Sequence, residues 1–305
     1  MRIAIIGGTG LLGNATANLL LKRGIEVYLL SRNLPAIIQD GAHWNLVDKC
    51  DYKSLINILS KIRPDAIVDF ASLLQHSCEA SPSNAININV TGTLNVLESC
   101  RILNIPKLLF ASSIAVYGER HDLMGEEDPI PVDLSLYGAT KFLSETLGMR
   151  YQRLYGINFL ALRYSGIFGL DSHQRSERSQ GMAKIRQQIL ECSSGKDVQM
   201  SEVTGKERVH LTHVSEAANA TCMALLAKQT DHNIYNIAGP LENYVSLEEL
   251  YSSVSLLFPN AGKVIWSKKR AREAGPLDLS RFTRDFNFKP KVSILEGLKL
   301  EFGLN

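Results

Sequence analysis

The chain has 305 residues, of which 45% are hydrophobic and 21% charged, and its formal net charge is +2. This composition is typical of a globular protein with one large α/β domain or two closely joined ones. So small a net charge provides no strong field for nucleic acid or a membrane surface, and we expect neither as a partner. The five cysteines include no CxxC pair, which argues against disulfides and favours reduced thiols in a cytoplasmic protein.

Apolar runs alternate with helical patterns through the first half of the chain. Nearly continuous apolar runs predict buried strands at Arg2–Ile6, Glu26–Ser31, Ala66–Phe70, Lys107–Ser112 and Asn158–Arg163. Helical periodicity between them predicts helices at Leu11–Lys22, Tyr52–Lys61, Asn89–Leu103 and Tyr137–Tyr155. Short right-handed crossovers then give an α/β fold with a doubly wound (Rossmann) parallel sheet.

The alternation weakens after Arg163. We interpret the polar stretch 170–182 as a loop over a cleft, the alternative being an ordinary surface loop. A strand at Val209–Thr212 and a helix at Ser215–Ala227 are expected to return to the main domain. The expected division is a dinucleotide-binding domain (residues 1–165 and about 209–238) and a smaller C-terminal substrate-binding lobe (about 166–208 and 239–305).

Three glycines separate the first strand from the first helix, in a GxxGxxG spacing. Gly7 permits a tight turn, Gly10 lets the backbone approach a pyrophosphate, and Gly13 allows the helix to pack on the strand. The helix N-terminus provides free N–H groups and the positive end of its dipole. We therefore predict a dinucleotide site here, which also includes Thr9, Leu11 and Leu12.

The end of the second strand bears on the choice of coenzyme. Many NAD-binding proteins carry a carboxylate here, whereas this chain has Ser31 and Arg32. A guanidinium suits a 2′-phosphate through paired hydrogen bonds. The alternative is that Arg32 stacks on adenine or faces water. The expected coenzyme is NAD(P), and this position slightly favours NADP.

A tyrosine and a lysine lie four residues apart in the fourth predicted helix. Tyr137 and Lys141 project from the same face, so both can reach one ligand. A tyrosine has an unperturbed pKa of about 10, and a nearby ammonium favours its phenolate and brings the group toward working pH. Ser113 follows a predicted strand at the edge where open α/β sheets bind ligands. Each signal is weak alone, but together with the glycine turn they predict an enzyme that transfers hydride.

The combined motifs resemble those of the extended short-chain dehydrogenase/reductase family, the NAD(P)-dependent epimerase/dehydratase group. The resemblance covers nearly the whole chain. Beyond the glycine turn and Tyr137…Lys141, it rests on segments similar to family motifs: Asn89–Thr93, Phe110–Gly118, Glu127–Pro131, Leu162–Gly169, His213–Val214 and Asp278–Ser280.

The resemblance implies roles for individual residues. Tyr137 is the expected acid/base, Lys141 holds the nicotinamide ribose and polarises Tyr137, and Ser113 binds the substrate oxygen. It further implies a homodimer built through helices 89–103 and 137–155. Additional coenzyme contacts are expected from Asn45 and Leu46 beside adenine (Asn45 replacing the usual Asp), from Phe70, Ala71 and Ser72, from Asn89, and from Ile167 facing the nicotinamide.

Departures from the family pattern bear on the substrate. Ile114-Ala115 stand where dehydratases of the family carry an Asp-Glu pair, so we reject that class. Gly166 replaces an Asn that binds the phosphate region in many sugar-nucleotide epimerases, which weakens the sugar-nucleotide case without closing it. Arg208 is offset by one from a common family arginine, and Arg270 could reach a diphosphate. For both arginines, simple solvent exposure is the alternative.

A second subgroup is also similar. Short threonine dehydrogenases of the family have segments close to Ser112–Gly118 and Arg163–Gly166, but a substrate-binding Ser where this chain has Gln75. The leading expectation is an NAD(P)-dependent oxidoreductase/epimerase acting on a carbinol carbon of a small-molecule substrate, a sugar nucleotide. The alternatives are a dehydrogenase/reductase of a small polar alcohol or amino-acid-like substrate, and a catalytically silent dinucleotide-binding regulator.

No metal site is predicted. His76 and Cys78 lie two residues apart near the expected cleft, but no further ligand accompanies them, so a place in the pocket wall is favoured. His213 follows a predicted strand and is expected to pack or to form hydrogen bonds.

Overall fold

A parallel sheet of seven strands forms the centre of the protein. The computed structural model describes residues 1–33, 40–169, 182–200, 203–269 and 273–304. The strands of this sheet are β1 (Arg2–Ile6), β2 (Glu26–Ser31), β3 (Ala42–Leu46), β4 (Ala66–Asp69), β5 (Lys107–Ser113), β6 (Asn158–Tyr164) and β10 (Ile234–Ile237). Their spatial order is β10-β6-β5-β4-β1-β2-β3.

Two smaller sheets lie outside it. A three-stranded sheet has the order β11-β9-β7, and a two-stranded one pairs β12 with β8. Their strands are β7 (Gly166–Phe168), β8 (Val198–Gln199), β9 (Arg208–His213), β11 (Tyr244–Ser246) and β12 (Val264–Ile265).

The helices connect these strands. A π-helical segment at Ile86–Thr91 leads directly into α5, and 3-10 turns occupy Ile114–Tyr117 and Leu241–Asn243. The α-helices of the described residues are α1 (Leu11–Lys22), α2 (Tyr52–Ile62), α3 (Gln75–Ala80), α4 (Pro82–Ala85), α5 (Gly92–Leu103), α6 (Leu136–Tyr155), α7 (Met182–Ser193), α8 (Val214–Leu226), α9 (Leu247–Leu257), α10 (Ser280–Phe286) and α11 (Ile294–Phe302).

Both faces of the seven-stranded sheet are covered by helices. On one face Ala17 of α1 and Ala217 of α8 join the buried core. On the other face, Leu55 of α2 and Val96 of α5 do the same. A strand buried on both faces must be apolar along its whole length, which is why the strands read as continuous apolar runs. The predicted doubly wound α/β fold is confirmed.

Strands β3 and β10 were not anticipated. β3 is an edge strand whose residues are half-buried or exposed, so it lacks the apolar run of a central strand. The strand expected at Val209–Thr212 exists as β9, but it pairs with β7 and β11 and not with the large sheet. Its place there is taken, because β6 is already flanked by β5 and β10.

The later part of the chain is shared between the two regions. Helix α8 packs on the large sheet beside α1. Helix α10, from the stretch assigned to the lobe, also packs there, with the Phe282 and Tyr235 ring centres 5.6 Å apart. The predicted domain boundaries stay a prediction. Of the polar stretch 170–182, only Met182 lies within the described residues. No helix in the described part of the chain is long and apolar enough to cross a membrane.

Candidate active site

The glycine turn is in close contact with neighbouring backbone at Gly7 and Gly13, and it is open at Gly10. Gly7 has a φ of +78°, and a Cβ there would lie 2.9 Å from the backbone N of Ala71. A Cβ on Gly13 would lie 2.6 Å from the carbonyl O of Gly7. At Gly10, by contrast, the nearest described atom to such a Cβ is that same oxygen, at 3.4 Å. The turn therefore presents open backbone at Gly10, which leaves room for a pyrophosphate to approach.

The start of α1 fits a phosphate. Gly10 is its N-cap, and no side chain among the described residues caps it. The N–H groups of its first turn therefore remain for an anionic ligand, assisted by the helix dipole. Thr9 and Leu11 flank Gly10 at the partly exposed surface, whereas Leu12 packs against the core. The residues present thus suit a dinucleotide.

The carboxyl ends of β2 and β3 form the expected adenine end. Ser31 and Leu46 are register partners, so they lie side by side. Leu46 is 62% exposed, unusually so for a large apolar residue. The hydroxyl of Ser31 donates to Asn33 O (2.7 Å) and accepts from Trp44 Nε1 (2.9 Å). Asn45 is half-buried and Arg32 exposed, so this edge presents an apolar side chain beside a guanidinium.

Tyr137 and Ser113 meet because α6 packs closely on the turn that follows β5. A Cβ on Gly138 would lie 2.3 Å from Ala115 O, so only glycine permits this approach. Ser135 caps α6 by accepting from Gly138 N at 3.2 Å. The Tyr137 phenol thereby lies close enough to the Ser113 and Ser72 hydroxyls for them to lower its pKa. The structure brings together residues that are far apart in sequence.

Lys141 completes this group. Its side chain is 2% exposed, and its Nζ donates to Ala111 O at 2.7 Å. The same Nζ lies 5.5 Å from the centre of the Tyr137 ring. Burial, reinforced by repulsion from Lys49, lowers the pKa of Lys141 to about 7.

The structure corrects one expectation about Tyr137. The lysine was expected to bring the pKa of the phenol toward working pH, but burial raises the pKa of Tyr137 to about 12. Hydrogen bonds with Ser113 and Ser72 oppose that rise without cancelling it. The physical reason is that the phenol is itself buried, which disfavours its charged form, and Lys141 is not among the groups that lower its pKa.

Asn89 links the segments on either side of the phenol. It lies in the π-helical segment and is 1% exposed. Its Oδ1 accepts from Leu73 N at 2.7 Å, and its Nδ2 donates to Leu73 O and to Thr140 Oγ1, both at 3.1 Å. Asn89 therefore ties the 70–73 segment to α6. Its predicted coenzyme contact stays a prediction.

The two arginines proposed for the substrate are not brought to the phenol by any described contact. Arg208 donates to Tyr244 O, and its guanidinium lies 4.6 Å from the Tyr244 ring centre. It also pairs with Glu249 at 3.5 Å. Arg208 is therefore held within the three-stranded sheet and the adjoining α9. Arg270 lies outside the described residues.

The remaining candidates occupy different positions. Phe70 and Ala71 lie beside the Gly7 turn, Gln75 is exposed at the start of α3, and Gly166 and Ile167 are partly exposed on β7. His213 bonds Glu301 through Nε2 (2.8 Å) and Ser215 through Nδ1 (2.7 Å). The expectation of a hydrogen-bonding histidine at position 213 is confirmed.

Sequence reasoning missed a buried ion pair beneath the site. Arg163 bonds Glu145 through Nε (3.0 Å) and Nη2 (2.7 Å), and its Nη1 donates to Tyr117 Oη at 2.9 Å. Glu145 also accepts from Ser112, beside Ser113. The available signal was a charged residue inside an apolar strand, which is rare without a partner.

Comparison with known proteins identifies the family. The sequence model of the NAD dependent epimerase/dehydratase family matches residues 3–238. The chain belongs to this family. The predicted resemblance is confirmed, and the chain is an enzyme of the NAD-dependent epimerase and dehydrogenase kind.

Relatives within the family differ in activity. The chain is 25% identical to CDP-paratose 2-epimerase of Salmonella typhi over 338 aligned positions, covering 98% of this chain and 97% of that one. It is 33% identical to mitochondrial L-threonine 3-dehydrogenase of Sus scrofa over 180 positions, covering 56% and 47%. The structure of Thermus thermophilus UDP-glucose 4-epimerase in complex with NAD superposes with a TM-score of 0.86, at 24% identity, covering 99% and 98%. At this identity, the last similarity shows the fold.

Proposed function

We propose that the protein is an NAD(P)-dependent oxidoreductase/epimerase that acts on a carbinol carbon of a sugar nucleotide, with Tyr137 as the acid/base. One observation carries the proposal. The Ser113 and Ser72 hydroxyls lie close enough to the Tyr137 phenol to lower its pKa, and the backbone of Phe70 and Ala71, directly before Ser72, packs on Gly7. A proton-transfer group and a phosphate cradle are thus joined by one short segment.

Each residue then has a chemical role. Tyr137 exchanges a proton with the oxygen of the reacting carbon, and Ser113 orients that oxygen by a second hydrogen bond. Lys141 is placed to hold hydroxyl groups of the nicotinamide ribose. Bound NAD(P) supplies the hydride acceptor and donor. Residues of the glycine turn and the Ser31–Leu46 edge would hold its pyrophosphate and adenosine.

The pKa of Tyr137 gives the two directions of the reaction different pH dependences. With a pKa of about 12 the phenol is protonated near neutral pH, the form that donates a proton to a keto oxygen. Oxidation of an alcohol needs the phenolate. We therefore infer that the oxidation rate rises with pH over a range in which the reduction rate does not.

Two outcomes are possible after oxidation. If the keto intermediate rotates in the site before the hydride returns, the result is epimerisation. If the intermediate leaves the site first, the result is net oxidation. The full-length similarity to CDP-paratose 2-epimerase supports a sugar nucleotide. The second candidate, oxidation of a small polar or amino-acid-like alcohol, is supported by the partial similarity to L-threonine 3-dehydrogenase. The intact Ser113, Tyr137 and Lys141 argue against a silent regulator.

The decisive experiment is Tyr137→Phe, assayed on a panel of sugar nucleotides and small alcohols. Reduced coenzyme is followed by absorbance, and epimer formation by NMR. We expect turnover to fall by roughly 10²–10⁴-fold, the usual contribution of a general acid/base. Tyr52→Phe is the matched control, because Tyr52 begins α2, outside the elements that carry Ser113, Tyr137 and Lys141. Turnover by Tyr137→Phe equal to that of the control would reject the assignment.

The coenzyme preference rests on Arg32. We propose that its exposed guanidinium at the end of β2 meets the 2′-phosphate of NADP. Affinities for NADPH and NADH, measured by fluorescence titration in the wild type and in Arg32→Gln, test this. A wild type that binds NADH more tightly, or a variant with an unchanged preference, would overturn it.

We also propose a homodimer. Helices α5 and α6 carry exposed large apolar side chains, which a second copy would cover: Ile102, Phe142, Leu143, Leu154 and Tyr155. Light scattering at micromolar concentration is expected to report twice the chain mass. A monomeric mass would contradict the proposal.

A further inference from the structure

A second lysine lies buried behind the site. Lys49, in the segment between β3 and α2, has a side chain only 3% exposed. Its Nζ donates to Asp69 Oδ2 at 2.8 Å, to Ala71 O at 2.6 Å and to Thr93 Oγ1 at 3.3 Å. All three N–H donors of the ammonium therefore have acceptors, as burial of a charge requires.

The neighbouring helix is shaped to admit this lysine. Gly92 begins α5, and a Cβ there would lie 2.8 Å from Lys49 Cε and 2.9 Å from its Cγ. Any larger residue at position 92 would displace the aliphatic part of Lys49. Gly92 and Thr93 thus provide the space and one acceptor for a residue more than 40 positions earlier.

The Lys49–Asp69 ion pair forms hydrogen bonds with both the carbonyl and the N–H group of Ala71. Lys49 holds Ala71 O, while Asp69 Oδ1 accepts from Ala71 N at 3.1 Å. Ala71 is the residue against which Gly7 packs, and the hydroxyl of the next residue, Ser72, acts on the pKa of Tyr137. The segment between the phosphate cradle and the phenol is therefore held from behind by two opposite charges.

The same two charges act on the pKa of Lys141. Repulsion by Lys49 lowers the pKa of Lys141, and attraction by Asp69 raises it. The other groups that face Lys141 are Cys78 of α3 and Glu145 of α6, which both raise its pKa by their charge. Burial lowers it more than any of these groups.

We propose that Lys49 and Asp69 are positioning residues for the coenzyme and for Lys141: as a pair they hold Ala71 and Ser72 in place between the glycine turn and Tyr137, and they balance the charge around the Lys141 ammonium. This inference rests on the proposed function for its catalytic meaning. Its structural and electrostatic content can be measured without a substrate.

The test compares Lys49→Met, Asp69→Asn and the double variant by NMR titration of isotope-labelled lysine side chains. Removing the repelling charge in Lys49→Met is expected to raise the pKa of Lys141. Removing the attracting charge in Asp69→Asn is expected to lower it. The double variant is expected to lie between the two, because the effects oppose each other. Should a single variant fail to fold, the double variant retains a neutral pair that needs no buried counter-charge.

Coenzyme affinity supplies the second measurement. Loss of the Lys49 contact frees Ala71 O, so Lys49→Met is expected to bind NAD(P)H at least about tenfold more weakly, in line with the loss of a hydrogen bond to a charged group. The matched control is Lys107→Met. Lys107 is also buried, but its Nζ donates to Ala224 O and Ala227 O at the end of α8. It should change neither coenzyme affinity nor the pKa of Lys141.

The outcomes separate the two proposals. Shifts of the Lys141 pKa in the same direction in both single variants, or no shift in either, would overturn the positioning role. So would coenzyme affinities equal to that of the control. Wild-type protein without turnover on any substrate, combined with opposite pKa shifts, would reject the proposed function and leave the positioning role standing.

Discussion

The region of the seven-stranded sheet, the proposed coenzyme side, and the region of β9, β11 and α9, the proposed substrate side, differ in the exposure of their charged pairs. On the coenzyme side, charged groups lie inside the protein: the Arg163–Glu145 pair has side chains 3% and 2% exposed. In the region of β9, β11 and α9, the Arg208–Glu249 pair has side chains 41% and 57% exposed. An apolar cluster that includes Leu211, Leu250 and Val254 supports that region beneath its surface.

The difference in burial predicts which charged pairs of each region tolerate substitution. A buried charge must keep its partner, so the side chains beneath Tyr137 are locked to one another. A surface pair contributes little and can be replaced. We infer that the coenzyme side tolerates substitution least at its buried polar contacts, while the substrate side tolerates it most at its surface charges. Stability measurements on variants of the buried and the exposed pairs test this difference.

The largest contrast is expected between Arg163→Met and Arg208→Met. The first leaves Glu145 buried without its partner and should lower the free energy of unfolding by about 3–5 kcal/mol. The second removes an exposed pair and should lower it by about 1 kcal/mol or less. Urea denaturation of both variants measures the two values. Equal losses would show that the two regions do not differ in this way.

A pH effect of intermediate size is expected from Lys141. Its pKa is about 7 in the folded protein, against an ordinary value of 10.5. Between these values the unfolded chain binds a proton that the folded protein does not, so stability rises with pH across this window. Below about pH 7 both states are protonated and the penalty is full.

Urea denaturation at pH 7 and pH 9 measures this effect. Over that interval the wild type should gain on the order of 2 kcal/mol relative to Lys141→Met, because one pKa unit corresponds to about 1.4 kcal/mol. Lys263→Met, on the exposed surface of the substrate side, should follow the wild type. A Lys141→Met protein with the wild-type pH profile would contradict the depressed pKa.

The smallest effect concerns two helix caps. Ser135 caps α6 by accepting from Gly138 N, and Ser293 caps α11 by accepting from Glu296 N. Each change to Ala should lower the free energy of unfolding by about 1 kcal/mol. Only Ser135→Ala should also reduce turnover, since α6 carries Tyr137. Turnover and urea denaturation are measured for both variants. Equally reduced turnover in Ser293→Ala would contradict the prediction that only the cap of α6 affects the site.

Local patterns in the sequence were sufficient for five of the seven strands of the central sheet and for the glycine turn. Strands β1, β4 and β6 are runs of apolar residues, and a parallel sheet covered on both faces requires such runs. The turn needs glycine at positions 7 and 13 for reasons of backbone conformation and close packing. Tyr137 and Lys141 share a helix face by periodicity alone. These features depend on residues near one another in the chain.

The tertiary structure decided what depends on distant partners. The amino-acid sequence alone does not show that Lys49 reaches Asp69 through the space left by Gly92, or that Gly138 lets α6 contact the turn after β5. Nor does it show that β9 is excluded from the large sheet. The pKa of Tyr137 is raised and not lowered because burial, which the fold creates, outweighs the opposing effect of the Ser113 and Ser72 hydroxyls.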